Sequence, residues 1–137
     1  MTGGGWVQAF VYLPRAVRNA VIDLRWGLPL LSGWLLPGRP TDAHQNSDHV
    51  ALPRIFHRRI RPGDVLVDIG CGRGRVLNHW LSHHADHRMV GVEIDADLAA
   101  RTARRLQNQS GCTVLAGDAV ELLPPDGTLF LLFNPFE

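Results

Sequence analysis

The sequence predicts an α/β domain built on a mostly parallel sheet, and three observations lead to that prediction. From residue 65 onward, four short apolar runs alternate with segments of helical character. Three glycines at alternate positions follow the first apolar run directly. Acidic residues lie at or just after the ends of the first three runs. Strands that alternate with helices are joined by crossovers, and such connections give a parallel sheet of right-handed connectivity.

Length and composition narrow the class of protein. A chain of 137 residues is long enough for one domain with a moderate core. Its 45% hydrophobic and 20% charged residues exclude wholesale disorder, and a net charge of +1 gives no nucleic-acid signature. Cys71 and Cys112 lack metal or redox spacing, which indicates a reduced, cytoplasmic protein. No segment reaches the ~18 apolar residues that a transmembrane helix requires.

The chain divides into two parts by pattern. Residues 1–45 are predicted to be a helical extension and linker, and residues 46–137 the domain itself. Apolar residues over 6–26 recur at helical spacing, with a break expected at Pro14. A second helix is predicted to end at residue 60, beginning after a cap at Ser47 or Asp48.

The elements of the domain follow from periodicity and from turn residues. Strands are predicted over Val65–Ile69, 89–94, Cys112–Ala116 and 129–133, and helices over 76–85, 96–109 and 119–123. The last run, LFLLF, is wholly apolar, so it is expected to be covered on both faces.

The turn after the first strand reads DIGCGRG and indicates a nucleotide-type ligand. Glycine adopts positive φ at little cost, and without a β-carbon it lets a ligand approach the backbone. The dinucleotide fingerprint would need a glycine at position 75, where the chain has Arg75. Asp68 has a simpler explanation as well, because its carboxylate would hold the turn by accepting backbone N–H bonds.

Three further groups follow the later strands. Glu93 ends the second strand, where a carboxylate can accept hydrogen bonds from both hydroxyls of a ribose. Asp118 follows the third strand and Asn134 the fourth. Taken alone, each residue is better explained as a turn residue or helix cap, but ligands of open α/β sheets bind outside the carboxyl ends of the strands.

The pattern D-x-G-x-G-x-G over 68–74, with these later residues, resembles the class I S-adenosylmethionine-dependent methyltransferases. The resemblance covers about residues 62–136 and implies a Rossmann-like, doubly wound sheet of strand order 3-2-1-4. It also implies S-adenosylmethionine (SAM) as the cofactor and a set of cofactor-binding residues: Asp68, Gly70, Cys71, Gly72, Gly74, Glu93, Asp118 and Ala119. In the family, an Asp at the place of Asp118 receives the adenine amino group.

The same resemblance implies a catalytic group. Asn134-Pro135-Phe136 is similar to the N-P-P-[YFW] motif of amino-group methyltransferases, with one proline instead of two. Asn134 and the Pro135 carbonyl would orient a nucleophilic amine, and Phe136 would stack on a flat substrate. We therefore expect methyl transfer from SAM to an unidentified acceptor, possibly an amino group. The alternative is a non-catalytic or incomplete SAM-binding domain, and a nicotinamide dehydrogenase is disfavoured.

The resemblance also predicts incompleteness. The family sheet has seven strands, and this chain ends soon after the fourth. With the implied strand order the fourth strand lies at an edge, and exposed apolar edges favour strand addition. We expect a fragment, or a chain that a partner or a strand-mediated oligomer completes.

The histidines allow two interpretations. His79, His83 and His87 are spaced to lie on one helix face, as metal ligands would be. No cysteine or carboxylate pair completes such a site, so a solvent-exposed helix end is favoured and no metal is predicted.

Overall fold

The computed structural model describes residues 15–27, residue 49 and residues 51–133. Its helices are α1 (Arg15–Arg25), α2 (Leu52–Phe56), α3 (Arg75–His83), α4 (Ala96–Leu106) and α5 (Ala119–Leu122). Its strands are β1 (Val65–Ile69), β2 (Arg88–Glu93), β3 (Cys112–Ala116) and β4 (Leu129–Leu132).

The four strands form one parallel sheet in the order β3-β2-β1-β4. This confirms the predicted fold and strand order. Asp68 is paired in register with Gly91 of β2 and Leu131 of β4, which places the end of β1 in the middle of the sheet. The carboxyl ends of β1, β2 and β3 therefore meet at one edge, and their turns carry the predicted site.

The main core lies between the sheet and the helices that pack on it. Trp80, Leu77 and Val76 of α3 pack with Leu66 and Met89 of the strands. Leu52 and Phe56 of α2 complete this cluster, and Trp26 at the end of α1 packs against it. The short α2 is therefore a core element, although it has only five residues.

Buried polar side chains hold α1 to the domain. The carboxylate of Asp23 is paired with the guanidinium of Arg75, the first residue of α3, with 3.0 Å between Nε and Oδ1. His49 Nε2 lies 2.7 Å from the same carboxylate. Burial opposes ionisation of Asp23, but the hydrogen bonds and charges of His49 and Arg75 outweigh it and lower its pKa.

One predicted helix needs correction. The helix expected up to residue 60 is only Leu52–Phe56, with Ala51 as its N-cap and a proline in its first turn. Pro53 is compatible with a first turn, where its missing N–H needs no partner, so the helix begins there. The chain then leaves the helix at His57, and Arg58 takes a left-handed conformation with a φ of 59°.

In this chain the last strand has one covered and one exposed face, whereas its apolar sequence suits cover on both. Leu129 and Leu131 pack against the core, whereas Phe130 is 43% and Leu132 51% exposed. Alternate residues of a strand point to opposite faces, so only one face of β4 is covered by the described residues. Its predicted edge position is confirmed.

The expectation of a solvent-exposed histidine face holds for His83 but is wrong for His79 and His87. His79 is buried and stacks on Phe56 with ring centroids 5.7 Å apart. Burial and the neighbouring His83, His84 and His49 lower the pKa of His79 to about 4. His87, beyond the end of α3, is buried as well, 3.0 Å from the Arg61 carbonyl oxygen. In the parts of the chain that the structure describes, no group of three or more His, Cys, Asp or Glu side chains could hold a metal ion.

Within residues 15–27, 49 and 51–133, no helix is long and apolar enough to cross a membrane.

Candidate functional site

The glycine turn joins β1 to α3 and takes a conformation that glycine permits. Gly70, Gly72 and Gly74 have φ values of 75°, 52° and 77°. The N–H groups of Gly70 and Cys71 both donate to the carbonyl of Val92, at 2.8 and 3.0 Å. The turn is thus fastened to the end of β2 by its own backbone.

Gly72 and Gly74 face different surroundings. A β-carbon at Gly72 would meet nothing within 4 Å, so this glycine borders open space. A β-carbon at Gly74 would lie 2.9 Å from Thr102 Cγ2 and from Arg105 Nη2. Gly74 is therefore needed for packing against α4, whereas only Gly72 of these two leaves room for a ligand.

Glu93 is buried, and its carboxylate holds the turn. Its Oε2 accepts the Gly72 N–H at 2.8 Å and its Oε1 accepts the Asp95 N–H at 3.0 Å. Each carboxylate oxygen can accept a further hydrogen bond. The turn-holding role considered for Asp68 thus belongs to Glu93, and the ribose role predicted for Glu93 stays a prediction that this geometry permits.

Asp68 lies at the end of β1 and is 4% exposed. No hydrogen bond to its carboxylate is made by the described residues. Burial, and then the nearby Glu93 charge, raise the pKa of Asp68 to about 7. A cationic ligand group beside this carboxylate would stabilise its ionised form.

Cys71 contributes to the core through its side chain. The residue is buried, and a β-carbon built on Gly91 of β2 would lie 2.8 Å from the Cys71 sulfur. Burial raises the pKa of this thiol well above its usual range. Its predicted contact with the cofactor stays a prediction.

The third strand end is ordered by a cap. Asp118 is exposed and accepts the Val120 N–H at 2.8 Å as the N-cap of α5. Gly117 donates its N–H to the Glu93 carbonyl at 2.9 Å, which joins this turn to the end of β2. Asp118 and Ala119 therefore lie next to the Glu93 segment, and their adenine contacts stay predictions.

Sequence reasoning missed four residues around this site. The side chain of Ile94, directly after Glu93, is 74% exposed, and that of Val120, two residues after Asp118, is 86% exposed. Thr102 and Arg105 of α4 hold carbonyls of the glycine turn. Ile94 and Val120 could have been found from the sequence, because they are apolar residues close to the predicted carboxylates. Thr102 and Arg105 belong to a helix distant in sequence, and no local pattern indicates that they contact the turn. The predicted catalytic residues Asn134, Pro135 and Phe136 lie outside the described residues.

Comparisons with known proteins agree with this geometry. A family model described as "Methyltransferase domain" matches residues 66–136, which is more than half of the chain. A tRNA (guanine-N(7)-)-methyltransferase of Wolinella succinogenes is 34% identical over 77 residues, which are 53% of this chain and 20% of the relative. The chain thus spans about a fifth of the length of this curated relative.

Two solved structures share the fold. The structure of the 23S rRNA methyltransferase ErmE has a TM-score of 0.50 and 24% identity, over 61% of this chain and 34% of that one. A geranyl diphosphate methyltransferase in complex with GPP and sinefungin has a TM-score of 0.50 and 20% identity, over 93% and 54%. With the glycine turn, the parallel sheet and the family match together, the chain belongs to the class I SAM-dependent methyltransferases.

Proposed function

We propose that this chain binds SAM at the carboxyl ends of β1, β2 and β3, and that the protein it forms or belongs to transfers the methyl group to an acceptor. The observation that carries the proposal is the buried Glu93 carboxylate, bonded to Gly72 at the point where the turn borders open space. Family membership gives SAM as the ligand that this arrangement would take.

The residues present fit the parts of this cofactor. Glu93 retains acceptor capacity for ribose hydroxyls, and Asp68 is a buried carboxylate without a hydrogen-bond partner among the described residues. The exposed side chains of Ile94 and Val120 offer apolar surface for a flat base. An ammonium group would match Asp68, and an adenine ring would match the apolar pair.

Bound SAM supplies a methyl group that its sulfonium already activates. The protein must therefore bind, orient and exclude water rather than generate a strong electrophile. We extend the proposal to an amine acceptor, oriented by Asn134 and the Pro135 carbonyl with Phe136 stacking on a flat substrate. The relative named above modifies tRNA according to its name, and it shares only 20% of its length with this chain.

Calorimetry with S-adenosylhomocysteine (SAH) and with NAD tests the cofactor. We expect SAH to bind and NAD not to bind. Glu93→Ala should weaken SAH binding by at least about tenfold, because charge-assisted hydrogen bonds contribute roughly 1.5–3 kcal/mol each.

A matched control removes an exposed carboxylate at the opposite end of the sheet. Asp126→Ala breaks the surface pair with Arg88 and should leave SAH binding unchanged. Binding of NAD but not SAH by the unsubstituted chain would overturn the proposal. Binding of SAH without methyl transfer to any amine, by the full-length protein, would favour the non-catalytic alternative.

A further inference from the structure

The carbonyl groups at the centre of the glycine turn are held by α4. Thr102 Oγ1 donates to the Gly72 carbonyl at 2.8 Å, in a buried hydrogen bond. Arg105 Nη2 donates to the Arg73 carbonyl at 2.6 Å. Residues three apart lie on the same side of a helix, so one face of α4 holds two successive carbonyls of the turn.

These bonds fix the direction of a backbone donor. In a planar trans peptide the C=O of one residue and the N–H of the next point in opposite directions, and the described chain has no cis peptide bond. Because the Gly72 carbonyl points at Thr102, the Arg73 N–H points away from α4. No hydrogen bond from the Arg73 N–H is formed among the residues that the structure describes. The Arg73 N–H is therefore available to an acceptor atom of a ligand.

Arg105 also joins three parts of the molecule. Besides the Arg73 carbonyl, its Nη1 donates to Asn78 Oδ1 of α3 at 2.8 Å and to the Trp26 carbonyl, just beyond α1, at 3.2 Å. A planar guanidinium with five donors can serve three acceptors at once, whereas an ammonium group cannot reproduce that geometry. The Arg105 side chain thus links the turn, α3 and the residue just beyond α1 by hydrogen bonds.

We propose that Thr102 and Arg105 are positioning residues, which hold the glycine turn from behind so that its Arg73 N–H is presented to an acceptor atom of the cofactor. The inference rests on the proposed function, since the ligand is SAM or its product SAH. Neither side chain is required to touch the ligand. Their effect is exerted through the two carbonyls that they bind.

Thr102 allows a matched pair of variants. Thr102→Val removes the hydroxyl and keeps the shape, and Thr102→Ser keeps the hydroxyl and loses the methyl group. We expect Thr102→Val to weaken SAH binding about tenfold in calorimetry, as the loss of a buried hydrogen bond would, and Thr102→Ser to bind within about twofold of the unsubstituted chain. Binding is measured well below the melting temperature of each variant.

A second variant serves if Thr102→Val does not fold. Arg105→Gln removes the guanidinium that binds the Arg73 carbonyl, Asn78 and the Trp26 carbonyl, and it should also weaken SAH binding. Arg104→Gln changes an exposed neighbour on the same helix and is the control. In the ligand-free protein, the hydrogen-bonded amides of Gly72 and Gly74 should exchange faster in Thr102→Val and Arg105→Gln than in Arg104→Gln.

The outcomes separate the two proposals. If the unsubstituted chain does not bind SAH, the proposed function fails and this inference fails with it. If that chain binds SAH, and Thr102→Val and Arg105→Gln bind it equally well, the proposed function stands and the positioning role is overturned. Equal loss of binding in Thr102→Ser and Thr102→Val would also overturn it, because the hydroxyl would not be the group responsible.

Discussion

The glycines of the turn show that two positions of one motif can require glycine for different physical reasons. Both Gly72 and Gly74 have a positive φ, which costs other residues roughly 1–2 kcal/mol. Only at Gly74 would a β-carbon also collide with α4, because Thr102 and Arg105 are held in place by their hydrogen bonds. The spacing of the motif cannot distinguish these two cases.

Alanine substitutions separate them. We expect Gly74→Ala to lower the melting temperature more than Gly72→Ala, since it adds a steric clash to the same backbone cost. Gly72→Ala should retain a cooperative melt but weaken SAH binding, because its methyl group enters the space in front of the turn. Thermal melts and calorimetry on both variants test this, and equal losses of stability would contradict it.

Asp68 makes stability depend on pH in an unusual direction for a carboxylate. Its pKa is raised from 3.8 to about 7 in the folded chain, by burial and then by Glu93. Between about pH 4 and about pH 7 the folded state therefore holds a proton that the unfolded state releases. Because of Asp68, the free energy of unfolding falls as the pH rises over this range. Other carboxylates with lowered pKa values act in the opposite sense, which makes a difference measurement necessary.

Asp68→Asn isolates that contribution. The amide is nearly isosteric and does not ionise, so the variant should gain stability relative to the unsubstituted chain on going from pH 5 to pH 8. Denaturant unfolding at the two pH values measures this change. A stability difference that is the same at both would show that Asp68 does not titrate between them.

At the scale of elements, β4 is the strand of the sheet that exposes large apolar side chains. Its core side is covered by Leu129 and Leu131 packing, and its other side exposes Phe130 and Leu132. Among the described residues, no strand pairs with its outer edge. An apolar edge of this kind favours association with another strand.

We expect this 137-residue chain, when produced by itself, to self-associate through β4. Leu132→Lys places a charge on the exposed face of that edge strand and should reduce the apparent mass in light scattering. Val17→Lys, which changes an exposed apolar residue of α1, is the control and should leave the mass unchanged. A monomeric unsubstituted chain with a cooperative melt would contradict the prediction.

The boundaries of the elements show where local patterns suffice. β1 and β3 have the predicted bounds because apolar, β-branched runs end at glycine in both cases. The helix predicted to end at residue 60 was too long. Pro53 lies in the first turn of the observed helix, and Arg58, just beyond its end, takes a left-handed conformation. Conformations beyond a helix end depend on tertiary contacts that no local pattern contains.

At the scale of the whole molecule, α1 is attached to the domain by a charged cluster. Asp23 of α1 pairs with Arg75 and His49, and its lowered pKa shows that the ionised form is the stabilised one. This contribution is present above the unfolded pKa of about 3.8 and is lost as the pH falls below it.

Asp23→Asn should release α1 at neutral pH. We expect faster amide exchange over residues 15–25 in this variant than in the unsubstituted chain, with the exchange of β1 unchanged. Hydrogen exchange read by mass spectrometry resolves the two segments. Unchanged protection of α1 would mean that the apolar contacts of Trp26 are sufficient to hold it.

How much of the structure could be predicted from the sequence depends on how far apart in the chain the contacting residues lie. The fold class followed from the alternation of strands and helices. The cofactor followed from the family resemblance that the glycine turn and the carboxylates at the strand ends carry, and all of these are local patterns. The pairing of Asp23 with Arg75 spans 52 residues, and the bond from Arg105 to Trp26 spans 79. Such contacts depend on the packing of the whole chain, so the attachment of α1 and the support of the turn could not be predicted.

The burial of Cys71 beneath the turn gives this protein an internal chemical probe. Its thiol lies where even one additional carbon on Gly91 would collide, so an alkylating reagent reaches it only when the turn and β2 separate. With Cys112 replaced by serine, the rate of alkylation would report how often that separation occurs. A ligand that bridges Gly72 and Glu93 would hold the turn against β2, so its binding would slow the alkylation of Cys71. The occupancy of the ligand could then be measured without knowing the methyl acceptor.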